Sequence, residues 1–404
     1  MTDASSWHLE TQFVHGRKHQ RNPGNSGIPT ISPIYASTTY LHGNAEALDQ
    51  AFAGTTPTGE QAYVYARQGN PSACILEDAL AQVEHGIGAV TFSSGMAAIH
   101  AALLVAGLAP NTKIVASQDL YGATLSLLQT VFKPVGVQIV LADLCNADAA
   151  NLIRGEQPDV VYAETLSNPL VKLVDLDALS AAAQEVGAVT VVDNTFTTPY
   201  LVRPIDHGFD LVVHSMTKYI GGHGDSTAGA VISARKAQLD SLRSYATILG
   251  AMLSPFDAHL IMRGLRTLPL RMERHSLNAL QVAHFLQQHS AVSHVYYPGL
   301  PNHPQHTLAT KLLRPEHYGG LLSFDLKDQS RDAAFRFMDR LQLCLPATTL
   351  GDIFSLVSYP ALSSHRTLTE AERRNMGITE GCIRLAVGIE HVEDIMRDLD
   401  QALL

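Results

Sequence analysis

Seven short apolar runs recur between residues 89 and 232: Ala89-Val-Thr-Phe, Ile114-Val-Ala, Gln138-Ile-Val-Leu, Val160-Val-Tyr-Ala, Val189-Thr-Val-Val, Leu211-Val-Val-His and Gly229-Ala-Val-Ile. Most are rich in β-branched residues and lack the strict alternation of a strand with one wet face. Such runs read as strands buried on both sides. Most are separated by stretches with helical spacing, such as Leu176–Val186. Strands alternating with helices predict a mostly parallel sheet covered on both faces.

The pattern differs at either end. From about Ser254, residues 256–289 read as a long helix pair in which Arg263, Arg266, Arg271 and Arg274 alternate with Leu, Ile and Met. Val295-Tyr-Tyr-Pro-Gly, Gly320-Leu-Leu-Ser-Phe-Asp-Leu, a helix over 331–341, a strand near Arg384-Leu-Ala-Val and a closing helix over 391–403 then predict a smaller α+β domain. Residues 1–66 look irregular, with Asn22-Pro-Gly-Asn, Gly27-Ile-Pro and Gly54-Thr-Thr-Pro-Thr-Gly-Glu. Such a segment builds no core alone and is expected to pack on something else, such as another subunit. The expected division is an arm over 1–66, a large domain over 67–268 and a C-terminal α+β domain over 269–404. At about 100–200 residues per domain, 404 residues fit that division.

Composition narrows the classes. The formal charge of −10 disfavours nucleic acid and anionic membrane surfaces as partners. No run reaches the roughly 18 apolar residues of a membrane span. The start, Met1-Thr-Asp-Ala-Ser-Ser-Trp-His-Leu-Glu, has no basic head and no apolar stretch, so no secretory signal is read there. Cys74, Cys145, Cys344 and Cys382 lie far apart without a CxxC, which suits a reducing, cytoplasmic setting. The 19 histidines are scattered, and His303 and His306 have no Cys or acidic companions, so no metal site is expected.

In sheets of this type ligands bind beyond the carboxyl ends of the strands. Ser93-Ser-Gly-Met follows the first run and opens a helix, where free backbone N–H groups make a phosphate seat. A serine there is equally an ordinary N-cap. Glu164-Thr-Leu-Ser-Asn-Pro follows the fourth run, and Asn168 before Pro169 reads as a turn residue or a ligand contact. Asp193 ends an apolar strand, which is costly unless it meets a cation or caps a helix. Lys218 lies in His214-Ser-Met-Thr-Lys-Tyr-Ile-Gly-Gly, just past a buried strand. Partial burial lowers a lysine pKa and makes the amine nucleophilic.

A phosphate seat, an acid for a ring nitrogen and a carbonyl-trapping lysine are what pyridoxal phosphate needs. From about Tyr63 onward the chain resembles the Cys/Met-metabolism family of pyridoxal-phosphate enzymes, which have the aspartate aminotransferase type of fold (fold type I). The resemblance implies that Lys218 carries the cofactor and that Ser215, Thr217 and the backbone of Gly95 and Met96 bind its phosphate. It implies that Asp193 pairs with the pyridine nitrogen. Tyr121, in Asp119-Leu-Tyr-Gly-Ala-Thr, would stack on the ring. Asn168 would touch the ring oxygen and the substrate carboxylate. Tyr65 and Arg67, in Tyr65-Ala-Arg-Gln-Gly-Asn-Pro, would reach the phosphate of a neighbouring subunit, with Tyr65 also near the substrate. Arg384, in Gly381-Cys-Ile-Arg-Leu, would clamp the substrate carboxylate, helped by Thr349 where the family has a serine. In the implied reaction Lys218 takes the Cα proton, and Tyr121 assists a proton to the leaving group on Cγ. A homotetramer of two tight dimers, each with two shared sites, is also implied.

Within the family the texture is most like methionine γ-lyase: Leu253-Ser-Pro-Phe-Asp, Met262-Arg-Gly-Leu-Arg-Thr-Leu, Leu350-Gly-Asp, and His365 after two serines. Departures are equally specific. Ala123 stands for the usual Cys of those lyases, and Ala246-Thr247 for their Lys-Asp pair. Val64, Ser126, Thr348 and Phe354 stand where cystathionine enzymes tend to carry charge. The expected reaction is γ-elimination on a sulfur-containing or homoserine-derived amino acid. The alternatives are γ-replacement, as by a cystathionine γ-synthase or sulfhydrylase, and cystathionine γ-lyase activity.

Overall fold

The computed structural model describes residues 7–15, 29–54, 61–366 and 368–404. All seven apolar runs are strands: β1 (Gly88–Phe92), β2 (Lys113–Ser117), β3 (Gln138–Ala142), β4 (Val160–Glu164), β5 (Val189–Asp193), β6 (Leu211–Ser215) and β7 (Gly229–Ser233). They form one sheet in the order β1-β7-β6-β5-β4-β2-β3. β7 is antiparallel to both β1 and β6, and the other pairs are parallel. β1 and β6, both antiparallel to β7, therefore run the same way. The carboxyl ends of β1, β4, β5 and β6 consequently meet at one edge of the sheet.

The sheet has a core on each face, which is why its strands are apolar throughout. One layer joins Leu76 and Leu80 to Leu176, Leu179 and Val212. The other joins Ala98, Ile99 and Leu103 to Ile114, Tyr162 and Val213. The helix Gly95–Val105 is N-capped by Ser94, whose hydroxyl accepts from Ala97 N at 3.2 Å. Leu176–Val186 is helical as the spacing predicts, capped by Asp175 and closed by Gly187 in the left-handed region.

A second sheet holds β8 (Val292–Tyr296), β9 (Leu321–Leu326), β10 (Leu345–Pro346), β11 (Leu356–Ser358) and β12 (Cys382–Ala386), in the order β10-β11-β12-β9-β8. Its pairs are antiparallel except β10 with β11. Helices Leu268–Gln288, Arg331–Arg340 and Val392–Leu403 pack on it through Val282, Leu286, Phe337, Ile395 and Leu399. The expected helix pair is present as Pro255–Arg266 and Leu268–Gln288, broken at Thr267 before Pro269. Arg271 lies near the start of the second helix. It is buried and donates to the carbonyls of Tyr219, Ile220 and Gly264.

The N-terminal arm is more ordered than its Gly/Pro content suggests. Leu9–His15 and Ala45–Phe52 are helices. The first buries Phe13 against Tyr200, and Glu10 pairs with Arg314 at 2.6 Å, so part of the arm docks on its own chain. Asn44 caps the second by accepting from Ala47 N. Asn22-Pro-Gly-Asn, Gly27 and residues 55–60 lie outside the described residues. Among the described residues, no helix is long and apolar enough to cross a membrane.

Candidate active site

A cavity of about 240 Å³ opens at the sheet edge where the carboxyl ends of β1, β4, β5 and β6 meet, and the C-terminal sheet closes its other side. Nine residues singled out in the sequence line it: Gly95, Met96, Tyr121, Asn168, Asp193, Ser215, Thr217, Lys218 and Arg384. The spacing of motifs along the chain thus becomes proximity in space, as the strand order requires.

At one end lies the N-terminus of helix Gly95–Val105. The amides at such an end are unpaired and favour an anion. Gly95 is required here: an added Cβ would sit 2.8 Å from Ser215 Cβ and 3.0 Å from its Oγ. β7 closes in from the other side, where a Cβ on Gly229 would lie 2.1 Å from the Ser94 carbonyl oxygen. Ser215 ends β6, and its amide donates to Thr195 Oγ1 at 2.8 Å. Thr217 Oγ1 is tied to Ala228 by accepting from its amide at 3.0 Å. Gly95, Met96, Ser215 and Thr217 all line the cavity.

At the other end Asp193 closes β5. Thr195 N donates to its Oδ1 at 2.9 Å. Burial pushes the Asp193 carboxyl above its ordinary range, against the pull of the Thr195 donors and His214. A cationic ring nitrogen would restore its charge. Lys218 sits between these ends in the turn after β6. Its Nζ donates to Thr349 Oγ1 at 2.7 Å. Desolvation lowers the pKa of the Lys218 amine, and the Arg384 charge lowers it further, while Asp352 opposes both. Such an amine is a better nucleophile at neutral pH.

Arg384, on β12, is 3 % exposed. Its Nη1 donates to Asn168 Oδ1 at 3.1 Å and its Nη2 to the Thr349 carbonyl at 3.1 Å. Its Nε has no partner among the described residues. Burial pulls its pKa to about 10, so it stays cationic at neutral pH. A buried guanidinium with an unused donor suits a carboxylate.

Tyr65 and Arg67 lie outside this cavity. Arg67 donates to the Thr247 carbonyl at 2.8 Å, its guanidinium lies 5.7 Å from the Tyr65 ring centre, and Tyr65 is 45 % exposed. Thr349 touches Lys218 without lining the cavity. The structure adds residues to which the sequence assigned no role. Glu164, Thr195 and Thr227 also line the cavity. Glu164 follows an apolar strand, as Asp193 does, and that position was the available signal.

A nucleophilic lysine between an anion seat and a strand-end aspartate, on a seven-stranded mostly parallel sheet, defines the fold type I class of pyridoxal-phosphate enzymes. The donor set fits the cofactor: helix amides and hydroxyls for its phosphate, an acid for its ring nitrogen and an amine for its aldehyde. The sequence model of the Cys/Met metabolism PLP-dependent enzymes matches residues 10–404, and the chain belongs to that family. It is 41 % identical to an L-methionine gamma-lyase of Fusobacterium nucleatum subsp. polymorphum, over 92 % of each chain. It is 39 % identical to a cystathionine beta-lyase of Lactococcus lactis subsp. cremoris, over 98 % of each. Cystathionine gamma synthase from Xanthomonas oryzae pv. oryzae, solved with aminoacrylate and cysteine, superposes with a TM-score of 0.90 at 36 % identity, covering 98 % of both chains. The protein is a pyridoxal-phosphate-dependent enzyme of trans-sulfuration chemistry.

Proposed function

We propose that the protein is a carbon–sulfur lyase that performs γ-elimination on a methionine- or homoserine-derived L-amino acid. For a thioether substrate the Cγ–S bond and the Cα–N bond break, one water is consumed, and a thiol, ammonia and a 2-oxo acid leave. The observation that carries this reading is the neutral wall beside Lys218 and Arg384. Among the described residues, Thr348 and Leu350 line the cavity there, and neither carries a charge for a second amino-acid head group. The L-methionine gamma-lyase relatives, at 41 % and 42 % identity, support it.

Bound pyridoxal phosphate supplies the electron sink. Gly95, Met96, Ser215 and Thr217 would hold its phosphate, Asp193 would pair with its ring nitrogen, and the Lys218 amine would hold its aldehyde end. Arg384 and Asn168 fix the substrate carboxylate, which sets the Cα–H orientation. The Lys218 amine removes the Cα proton and then a Cβ proton, so that the electrons of the Cβ–H bond expel the substituent on Cγ. Tyr121 delivers a proton to the departing sulfur. Thr349 keeps the Lys218 amine on the substrate side by accepting its hydrogen bond.

A second reading, action on cystathionine, is favoured by the Lactococcus relative, which matches almost end to end. One assay separates the readings. Methionine, homocysteine, cystathionine and O-acylhomoserines are supplied with and without a thiol, and products are identified. A 2-oxo acid from methionine without added thiol supports the proposal. Product that forms only with thiol marks γ-replacement. Pyruvate from cystathionine marks β-elimination, and 2-oxobutanoate with cysteine marks cystathionine γ-lyase activity.

We read the assembly as a homotetramer with shared sites, with Tyr65 and Arg67 serving a neighbour's phosphate. Their place outside this chain's own cavity supports that reading. The four cysteines are free, which suits the cytoplasm.

A further inference from the structure

Glu164 ends β4 beside Asp193, which ends β5, and the two are register partners in the parallel pair. Both line the same cavity. Glu164 is 6 % exposed. Two carboxyls side by side in a buried site do not both ionise. Their hydrogen bonds divide the roles. Asp193 accepts from Thr195 N. Glu164 Oε1 accepts from Tyr121 N at 2.6 Å. Tyr121 is the N-cap of helix Gly122–Leu127 and makes no capping bond through its own side chain. The Glu164 carboxyl is therefore the fixed point of the backbone from which the Tyr121 ring projects.

We propose that Glu164 is a positioning residue and that, of the two paired strand-end carboxyls, it is the neutral one. Its carbonyl oxygen would hold the backbone that presents Tyr121 to the cofactor, and its neutrality would leave Asp193 as the charged carboxylate for the ring nitrogen. The inference rests on the placement of Tyr121 and Asp193 at the cofactor given above. Burial first, then Asp193, push the Glu164 carboxyl well above its ordinary range, and Asp119 adds to them, while the bond from the Tyr121 amide pulls the other way. Asp119 is itself paired with Lys172 at 3.1 Å. Tyr162 and Cys145 lie on the same side, and Lys218 and Arg384 lie across the cavity.

The test titrates pyridoxal phosphate into apo-protein of the wild type, Glu164→Gln and Glu164→Ala. Affinity and visible circular dichroism are read across pH, and apo-protein melting serves as the folding check. Glutamine keeps the carbonyl acceptor and cannot ionise. At neutral pH Glu164→Gln should match the wild type within about twofold, and Glu164→Ala should bind about tenfold more weakly with an altered dichroic band. At alkaline pH the wild type should lose affinity relative to Glu164→Gln. Equal weakness of Gln and Ala would overturn the neutral carboxyl, and wild-type behaviour of Ala would overturn the positioning role. If Glu164→Ala does not fold, parallel pH profiles of the wild type and Glu164→Gln would overturn the proposal on their own. Lys218→Ala is the separate control: a lysine-linked absorbance surviving there would refute the site reading itself, whatever Glu164 does.

Discussion

Lys218 donates from Nζ to Thr349 Oγ1 at 2.7 Å, across 131 residues of sequence and between the two sheets. The same threonine gives its carbonyl to Arg384. Thr349 therefore joins the two groups to which the proposed function gives proton transfer and carboxylate binding. Thr349→Ser should keep kcat/KM near the wild-type value, because the hydroxyl remains. Thr349→Ala should lower it about tenfold, the scale of one hydrogen bond to a charged or reactive group. Steady-state kinetics on both variants check this.

Gly351 fixes that relationship from below. It has φ of +84°, and an added Cβ would lie 2.5 Å from Tyr219 N and 2.9 Å from Lys218 C. Gly351→Ala should push Thr349 away from Lys218 and cost more activity than Thr349→Ala. A kcat/KM for Gly351→Ala at or above that of Thr349→Ala would contradict this account.

Arg384 is planar, buried and already shared between Asn168 and two carbonyls. Lysine cannot reproduce that fork. Both Arg384→Ala and Arg384→Lys should lower kcat/KM about 100-fold or more, the scale of losing a buried charged partner. Cofactor absorbance should stay near normal if Arg384 binds substrate, as proposed. Loss of the cofactor in both variants would assign Arg384 to the cofactor instead.

Acid sensitivity follows from His275. It is fully buried, its Nδ1 faces the Val387 carbonyl at 2.6 Å, and burial pulls its pKa from the ordinary 6.5 to about 4. The unfolded chain binds the proton more readily, so this stability is present above about 6.5 and is lost as pH falls towards 4. The change is roughly 3 kcal/mol over that window. His275→Gln should flatten the fall of Tm between those pH values. His303 and His365, also pulled down to about 4, keep part of the slope. An unchanged slope would remove His275 from the cause.

Much of this was legible in the sequence because burial on both sheet faces leaves apolar runs with nothing else to explain them. Lys218 and Asp193 stood out as charges at the ends of such runs. Arg384 and Asn168 were legible only as motif matches, since their bond spans 216 positions. β10 and β11 are two and three residues long, too short for any period to show. The helix Leu9–His15 was missed because its partners, Tyr200 and Arg314, are remote in the chain. The strand-end position of Glu164 was a local signal for the cavity, but its bond to Tyr121 follows from which strands are neighbours, which no local pattern reveals.

Shared sites can be tested by mixing. Arg67→Ala and Lys218→Ala subunits, each inactive alone, should regain partial activity when reassembled together, because one site in a mixed dimer carries both native residues. No recovery in verified mixed oligomers would place Arg67 in its own subunit's site or in none.

The central claim is that Lys218 carries the cofactor in the cavity it shares with Asp193 and Arg384. Borohydride reduction of the holoenzyme followed by peptide mass spectrometry measures it directly. The pyridoxyl group should appear on the peptide bearing Lys218 and on no other lysine peptide. A pyridoxyl group on another lysine, or an unmodified Lys218 peptide in active enzyme, would contradict it.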